Sequence, residues 1–165
     1  GSTMATYGGQ NVGAAKWERL HQGMRACVLL GAIYSVVSLA ALYFLADPLN
    51  MLFLDAESAS LLPLARQYLI ISALFFFPLS LVNIVRFTIQ GMGFSPLATL
   101  AGVLEMAARA GVSCLVPAFG FAAACCASPA AWVLADLFLV PAYLYCCHRL
   151  TRPNKAEAPS LSRQN

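Results

Sequence analysis

Residues Ala26 to Ala46 read ACVLLGAIYSVVSLAALYFLA, 21 residues without a charge. At the rise of an α-helix this stretch covers roughly 31 Å, the thickness of a bilayer's hydrocarbon core. The rest of the chain agrees with that reading. Of its 165 residues, 60% are hydrophobic and only 10% charged, against about 25% charged in an ordinary soluble domain. Mean hydropathy is +0.72. Working outward, Asp47-Pro48 closes the quoted span. Gln67 to Val85 is a second apolar run, with Pro78 inside. Leu97 to Val116 is a third, carrying Glu105 and Arg109 and closed by Pro117. Phe119 to Cys147 is a fourth, with Pro129, Asp136 and Pro141 inside. The expected fold class is an all-α polytopic membrane protein with four transmembrane helices over 24–46, 57–90, 96–117 and 119–148.

Lys and Arg accumulate on the cytoplasmic side of a membrane. Lys16, Arg19, Arg25, Arg86, Arg149, Arg152, Lys155 and Arg163 fall on one side of the four spans, and Arg66 alone on the other, beside Asp47, Asp55 and Glu57. Both ends are therefore expected in the cytoplasm. Asp55 reads as the N-cap of the second span, and Leu49 to Leu54 as a short interfacial piece. Gly91 to Pro96 is a turn in which Ser95 can cap the third span and Pro96 suits its first position. Residues 151–165 are polar and read as a disordered tail. The organisation is then 1–23 as an entry segment, 24–150 as a helical bundle, and the tail.

Few residues carry chemistry. Glu105 and Arg109 stand four apart and share a helix face. A lone charge at that depth costs at least about 2.5 to 3.5 kcal/mol, so they form either a structural ion pair or an acid site lining a pathway. Arg109 favours the ionised acid, which makes Glu105 a poor proton carrier. Asp136 has no basic residue within a turn and must face protein, water or a cation. Asn83 reads as an interhelical hydrogen bonder or a polar lining group. Arg86 reads as a snorkelling anchor, and Trp17, Tyr143 and Tyr145 as interfacial belt residues. Phe75-Phe76-Phe77 is either lipid-facing bulk or an aromatic platform for a flat cation. Pro78, Pro129 and Pro141 each remove a helix hydrogen bond, and bendable helices suit alternating access. The six cysteines lie in apolar stretches and read as small hydrophobes rather than metal ligands. No hydrolytic triad, HExxH or phosphate loop is present: Gly8 to Gly13 lacks the Lys-Ser/Thr of a P-loop. An enzyme, a nucleic-acid partner and a resident cofactor are not expected.

The stretch before the first span, ATYGGQNVGAAKWERLHQGMR (Ala5 to Arg25), resembles the MATE family, the multidrug and toxic compound extrusion transporters. The motif residues are Gly9, Gln10, Asn11 and Gly13, with Ala14 and Arg19. Gln90-Gly91-Met92-Gly93 with Pro96, then Gly102, Glu105 and Arg109, then Ala127-Ser128-Pro129 and Trp132 extend the likeness. The resemblance implies that residues 1–23 are the end of a preceding helix, a cytoplasmic GGQN loop joining two helices, and a short amphipathic helix held at the membrane surface by Lys16, Trp17 and Arg19. It implies a twelve-helix fold of two lobes, of which this chain matches the last four helices, with the N-terminal part of the transporter as partner. It implies export of small organic, often cationic compounds across the plasma (inner) membrane, in antiport with Na+ or H+, among membrane lipid. Acids that some branches place on the seventh and tenth helices have no counterpart here. Glu105, Arg109, Asp136 and Asn83 are therefore candidates on membrane-embedded polarity alone. A flippase for lipid-linked precursors, and a self-standing four-helix scaffold or subunit, are the alternatives.

Overall fold

The computed structural model describes residues 1–53 and 60–151. The expectations for Leu54, Asp55, Glu57 and the tail beyond Thr151 lie outside them. The described residues form seven helices: α1 (Ser2–Gly13), α2 (Trp17–Phe53), α3 (Leu62–Leu74), α4 (Phe76–Gly91), α5 (Ser95–Ser113), α6 (Val116–Phe119) and α7 (Phe121–Thr151). The fold class is all-α, with no strand among the described residues.

The quoted stretch lies within α2, which is longer than its apolar part. It begins at Trp17, with Glu18 in the first turn where the helix dipole favours an acid. Lys16 to Arg19 therefore do not form a separate amphipathic helix; from Trp17 onward they belong to α2. The helix also runs past Asp47-Pro48 to Phe53. Pro48 removes a single backbone bond. The Asp47 carboxylate, instead of capping an end, accepts a 3.0 Å hydrogen bond from Arg66 Nη1 on α3. The interfacial piece expected from Leu49 is, as far as Phe53, the last turn of α2.

The second expected span is two helices. α3 and α4 meet at a 48° bend, with Phe75 between them. Pro78 explains the position of the break. In a continuous helix its N–H would bond the Leu74 carbonyl, and proline has none to give. The chain stops at Leu74 and restarts, so that Pro78 falls in the first turn of α4, where an N–H has no intrahelical partner.

The third expected span is shorter than its apolar run. α5 ends at Ser113, and Pro117 lies in the first turn of the separate α6. Ser95 does not cap α5. It is the first helical residue, Phe94 holds the cap position without a side-chain bond, and Ser95 instead accepts at its carbonyl from Thr99 Oγ1 at 3.1 Å. α7 runs unbroken through both Pro129 and Pro141.

By length and hydropathy, α2 and α7 suffice to cross a membrane, and the bent pair α3–α4 meets the same test only when taken together, which gives two to three candidate spans among the described residues. α4 sits at the centre of the bundle. Its Val82, Val85 and Ile89 pack against Ala135, Leu139 and Cys146 of α7, Ala101 of α5 and Leu20 of α2. Leu20, Ile89 and Leu139 are fully buried. Most of the α2 span, by contrast, faces outward: Leu29, Tyr34, Val36 and Phe44 are all exposed, a surface suited to lipid.

Candidate functional site

The Gly9, Gln10, Asn11 and Gly13 motif is not a loop. All four residues lie in α1, and the turn falls after them, at Ala14-Ala15, with Ala15 at φ 53°. The physical reason is helix contact. A Cβ on Gly9 would stand 3.0 Å from the Gly91 carbonyl oxygen, and one on Gly91 would collide with the backbone of Ala5. The α1 and α4 backbones thus cross with no side chain between them, the small-residue packing common between helices in membranes. Asn11 is buried and donates from Nδ2 to the Tyr7 carbonyl at 2.8 Å, one turn back in its own helix. The Tyr7 hydroxyl donates to the Arg19 carbonyl at 2.8 Å, which ties α1 to the start of α2.

The charged residues of α4 and α5 form one centre. Glu105 Oε1 accepts from Arg109 Nη2 at 2.8 Å, and Glu105 Oε2 accepts from Arg86 Nη2 at 2.5 Å. The i, i+4 pair read from the sequence is present. Arg86, read as a snorkelling anchor, is not one: it reaches across to α5. The Glu105 side chain is 15% exposed, and Arg86 at 24% is more shielded than Arg109 at 43%. Two guanidinium groups on one carboxylate leave an excess positive charge, and the Nε atoms of both arginines are buried without a partner.

Asp136 forms no hydrogen bond or ion pair with this centre. Its Oδ1 is buried without a hydrogen-bond partner. It lines an open notch of about 400 Å³ with Pro78, Val133, Leu137, Val140 and Pro141. Two of the three hinge candidates therefore flank the acid, one from α4 and one from α7. Pro129 does not line the notch and is buried on α7.

Asn83 does not bond another helix. Its Nδ2 donates to the Leu79 carbonyl at 2.8 Å within α4. It lines a cavity of about 300 Å³ with Tyr34, Phe76, Leu79, Ser80 and Ile84. The three phenylalanines make no common platform: Phe76 faces this cavity, while Phe77 faces a separate apolar groove beside Ala32, Val36 and Leu39. Tyr143, expected at an interface, is buried in the core with its hydroxyl unpartnered. All six cysteines are free thiols, and Cys114 and Cys126 are exposed rather than buried.

Sequence reading missed the Arg86–Glu105 bond and the Arg66–Asp47 bond. The tight turn at Gly93 carried a signal for the first, because it makes α4 and α5 neighbours and puts Arg86 within reach of α5. For the second, Asp47 and Arg66 were both read on the same side of the membrane at adjoining helix ends. At 40% and 45% exposure that pair contributes little to stability.

No curated protein and no solved structure matches the chain. The MatE family model matches residues 1–110, from α1 through most of α5. The match takes in the Gly9–Gly91 crossing and the Arg86–Glu105–Arg109 centre, and it ends before Asp136. It covers 110 of 165 residues, and the chain belongs to the MatE family of membrane transporters.

Proposed function

We propose that the chain is part of a secondary active efflux transporter that exports small organic, often cationic compounds in exchange for Na+ or H+. The MatE match over residues 1–110 carries this reading. The bent pair α3–α4 supports it, because a helix broken at mid-span is a means of passing a site from one side of a membrane to the other. In this reading α2, α3–α4, α5 and α7 are four spans. They correspond to the last four helices of a twelve-helix transporter in the plasma membrane, with both ends cytoplasmic. α5 becomes a span because the Glu105 carboxylate is paired with two arginines and does not face lipid as a bare charge. The 300 Å³ cavity at Tyr34, Phe76, Ser80 and Asn83 is a wall of the substrate path, apolar and aromatic with a few polar groups, as organic ligands require.

The test is efflux of a fluorescent cationic dye from cells without pumps of their own, expressing the intact transporter. Dye retention at control levels, with the protein present in the membrane, rejects the reading. A second reading, flipping of a lipid-linked pyrophosphate, draws support from the excess positive charge of the Arg86–Glu105–Arg109 centre. Binding of anionic lipid carriers without dye efflux would select it.

A further inference from the structure

An open groove of about 350 Å³ lies between α5 and α7, lined by Leu97, Leu137, Phe138, Pro141, Ala142 and Tyr145. Leu137 and Tyr145 are exposed along it, so the groove opens on the outside of the bundle. Its walls are apolar apart from the Tyr145 hydroxyl. Phe138, Ala142, Tyr145 and Arg149 stand at i, i+4, i+7 and i+11, which is one stripe of a helix. The stripe ends in charge. Arg149 lies in the last turn of α7 with His148, and both are exposed. The Arg149 guanidinium stands 5.7 Å from the centroid of the Phe94 ring, and Phe94 is the residue that precedes α5. The charge is thus held where both walls of the groove end. Contact with a ring face engages none of the guanidinium's N–H donors in hydrogen bonds. The first turn of α5 carries no acid, and the positive end of its dipole adds to the same field.

What fits a cationic rim above an apolar groove? A free anion meets the arginine and leaves the groove to water. An uncharged tail fills the groove and makes no use of the charge. An anionic phospholipid does both. The dimensions agree: Arg149 stands 12 residues beyond Leu137, roughly 18 Å at the rise of a helix, close to one leaflet of a core about 30 Å thick. Tyr145 lies between groove and arginine, where an amphipathic ring meets lipid headgroups. The cytoplasmic leaflet is the one rich in anionic lipid, and basic pockets between spans on that side take anionic headgroups. We propose that the α5–α7 groove holds an acyl chain of an anionic phospholipid whose phosphate sits on Arg149. This site rests on α5 and α7 being membrane spans with Ser95 and Arg149 at their cytoplasmic ends; it does not depend on export.

The intact transporter, purified in detergent with equal amounts of phosphatidylglycerol and phosphatidylcholine, is examined by native mass spectrometry. Phosphatidylglycerol should be retained in preference, and Arg149→Ala should lower that preference about fivefold, the effect of one basic side chain at an anionic surface. Lys16→Ala, at the same end of the bundle but on the turn before α2, should leave it unchanged, as should Arg66→Ala at the other end. Excess inorganic phosphate should not displace the lipid. In nanodiscs, Tyr145→Trp places a fluorescent reporter in the groove. Its emission, taken against the parent protein, should be quenched more by phosphatidylglycerol with brominated chains than by the matching phosphatidylcholine. Equal retention of the two lipids, a preference that survives Arg149→Ala or that Lys16→Ala lowers as far, displacement by phosphate alone, or a reporter that neither brominated lipid reaches because another part of the transporter covers the groove overturns the proposal. An Arg149-dependent lipid preference without any dye efflux would count against the export reading and leave the lipid site standing.

Discussion

Arg86 on α4 and Glu105 on α5 are joined at 2.5 Å across the turn at Gly93, and this bond lies in more shielded surroundings than the i, i+4 bond from Arg109 to the same carboxylate. The two bonds should therefore differ in strength. Exposed helical pairs contribute about 0.3–0.5 kcal/mol, while charged pairs shielded from water are strongly destabilising to break. A double-mutant cycle on Arg86 and Glu105, read by thermal unfolding of the intact protein in detergent, should give a coupling of about 1–2 kcal/mol. The Arg109–Glu105 cycle should give about 0.5 kcal/mol or less. Equal couplings would mean that Arg86 is the surface anchor its sequence position suggested.

Removing Glu105 alone should be worse than removing either arginine. Glu105→Ala leaves two guanidinium groups facing a vacated site with no carboxylate between them, and both already carry a buried, unpartnered Nε. Folded yield should fall furthest for Glu105→Ala, less for Arg86→Ala and least for Arg109→Ala. Size-exclusion profiles of the three variants decide the order.

The glycines separate in the same way. A Cβ on Gly91 meets the backbone of Ala5, which cannot rotate aside, whereas Gly102 and Gly111 have open space around them. Gly91→Ala should cost about 1–3 kcal/mol through overpacking. Gly102→Ala and Gly111→Ala should be neutral or stabilising by up to about 1 kcal/mol, the helix-propensity difference. Melting temperatures of the three variants measure this. A tolerated Gly91→Ala would mean that α1 and α4 are not in backbone contact.

These cases show what the sequence made legible. The existence of the long helices, the all-α class and the family followed from uninterrupted apolar runs and from the GGQN pattern, because both are local properties of the chain. Glu105 with Arg109 was legible for the same reason, four residues being one turn. Arg86 was not, since its partner is fixed by how two helices pack and not by spacing along one. The glycine motif was misread for a related reason. Adjacent glycines suit a turn, and equally suit a helix whose backbone must touch another, and only the position of α4 decides between them. Pro78 marked the right place in the chain, but the break fell at Phe75, because the missing hydrogen bond belongs to the carbonyl four residues earlier.

The bend itself is open to test. Pro78→Ala restores an N–H that can bond the Leu74 carbonyl and so join α3 to α4 as one helix. Spin labels at Leu64 and Phe87, one on each helix, should then move apart as the 48° bend relaxes. Stability should stay level or rise, because a broken junction becomes regular helix. Dye efflux should nevertheless fall several-fold if the bend takes part in alternating access. A straightened helix with wild-type efflux would assign Pro78 to folding alone.

Asp136 and Glu105 should part company when each is replaced by its amide in the intact transporter. Glu105→Gln keeps a hydrogen-bond acceptor for one arginine but removes the charge that balances two, so its first effect should be on folded yield. Asp136→Asn fits a notch in which the carboxylate has no partner for Oδ1 to lose, so expression should remain near wild type. If the acid carries the coupling ion, efflux should drop at least tenfold and become insensitive to an imposed pH gradient, because an amide neither takes up nor releases a proton in this range. The measurement is dye efflux normalised to membrane-inserted protein, with and without the gradient. Wild-type efflux in Asp136→Asn would remove α7 from ion coupling and leave the notch a packing feature of the two prolines.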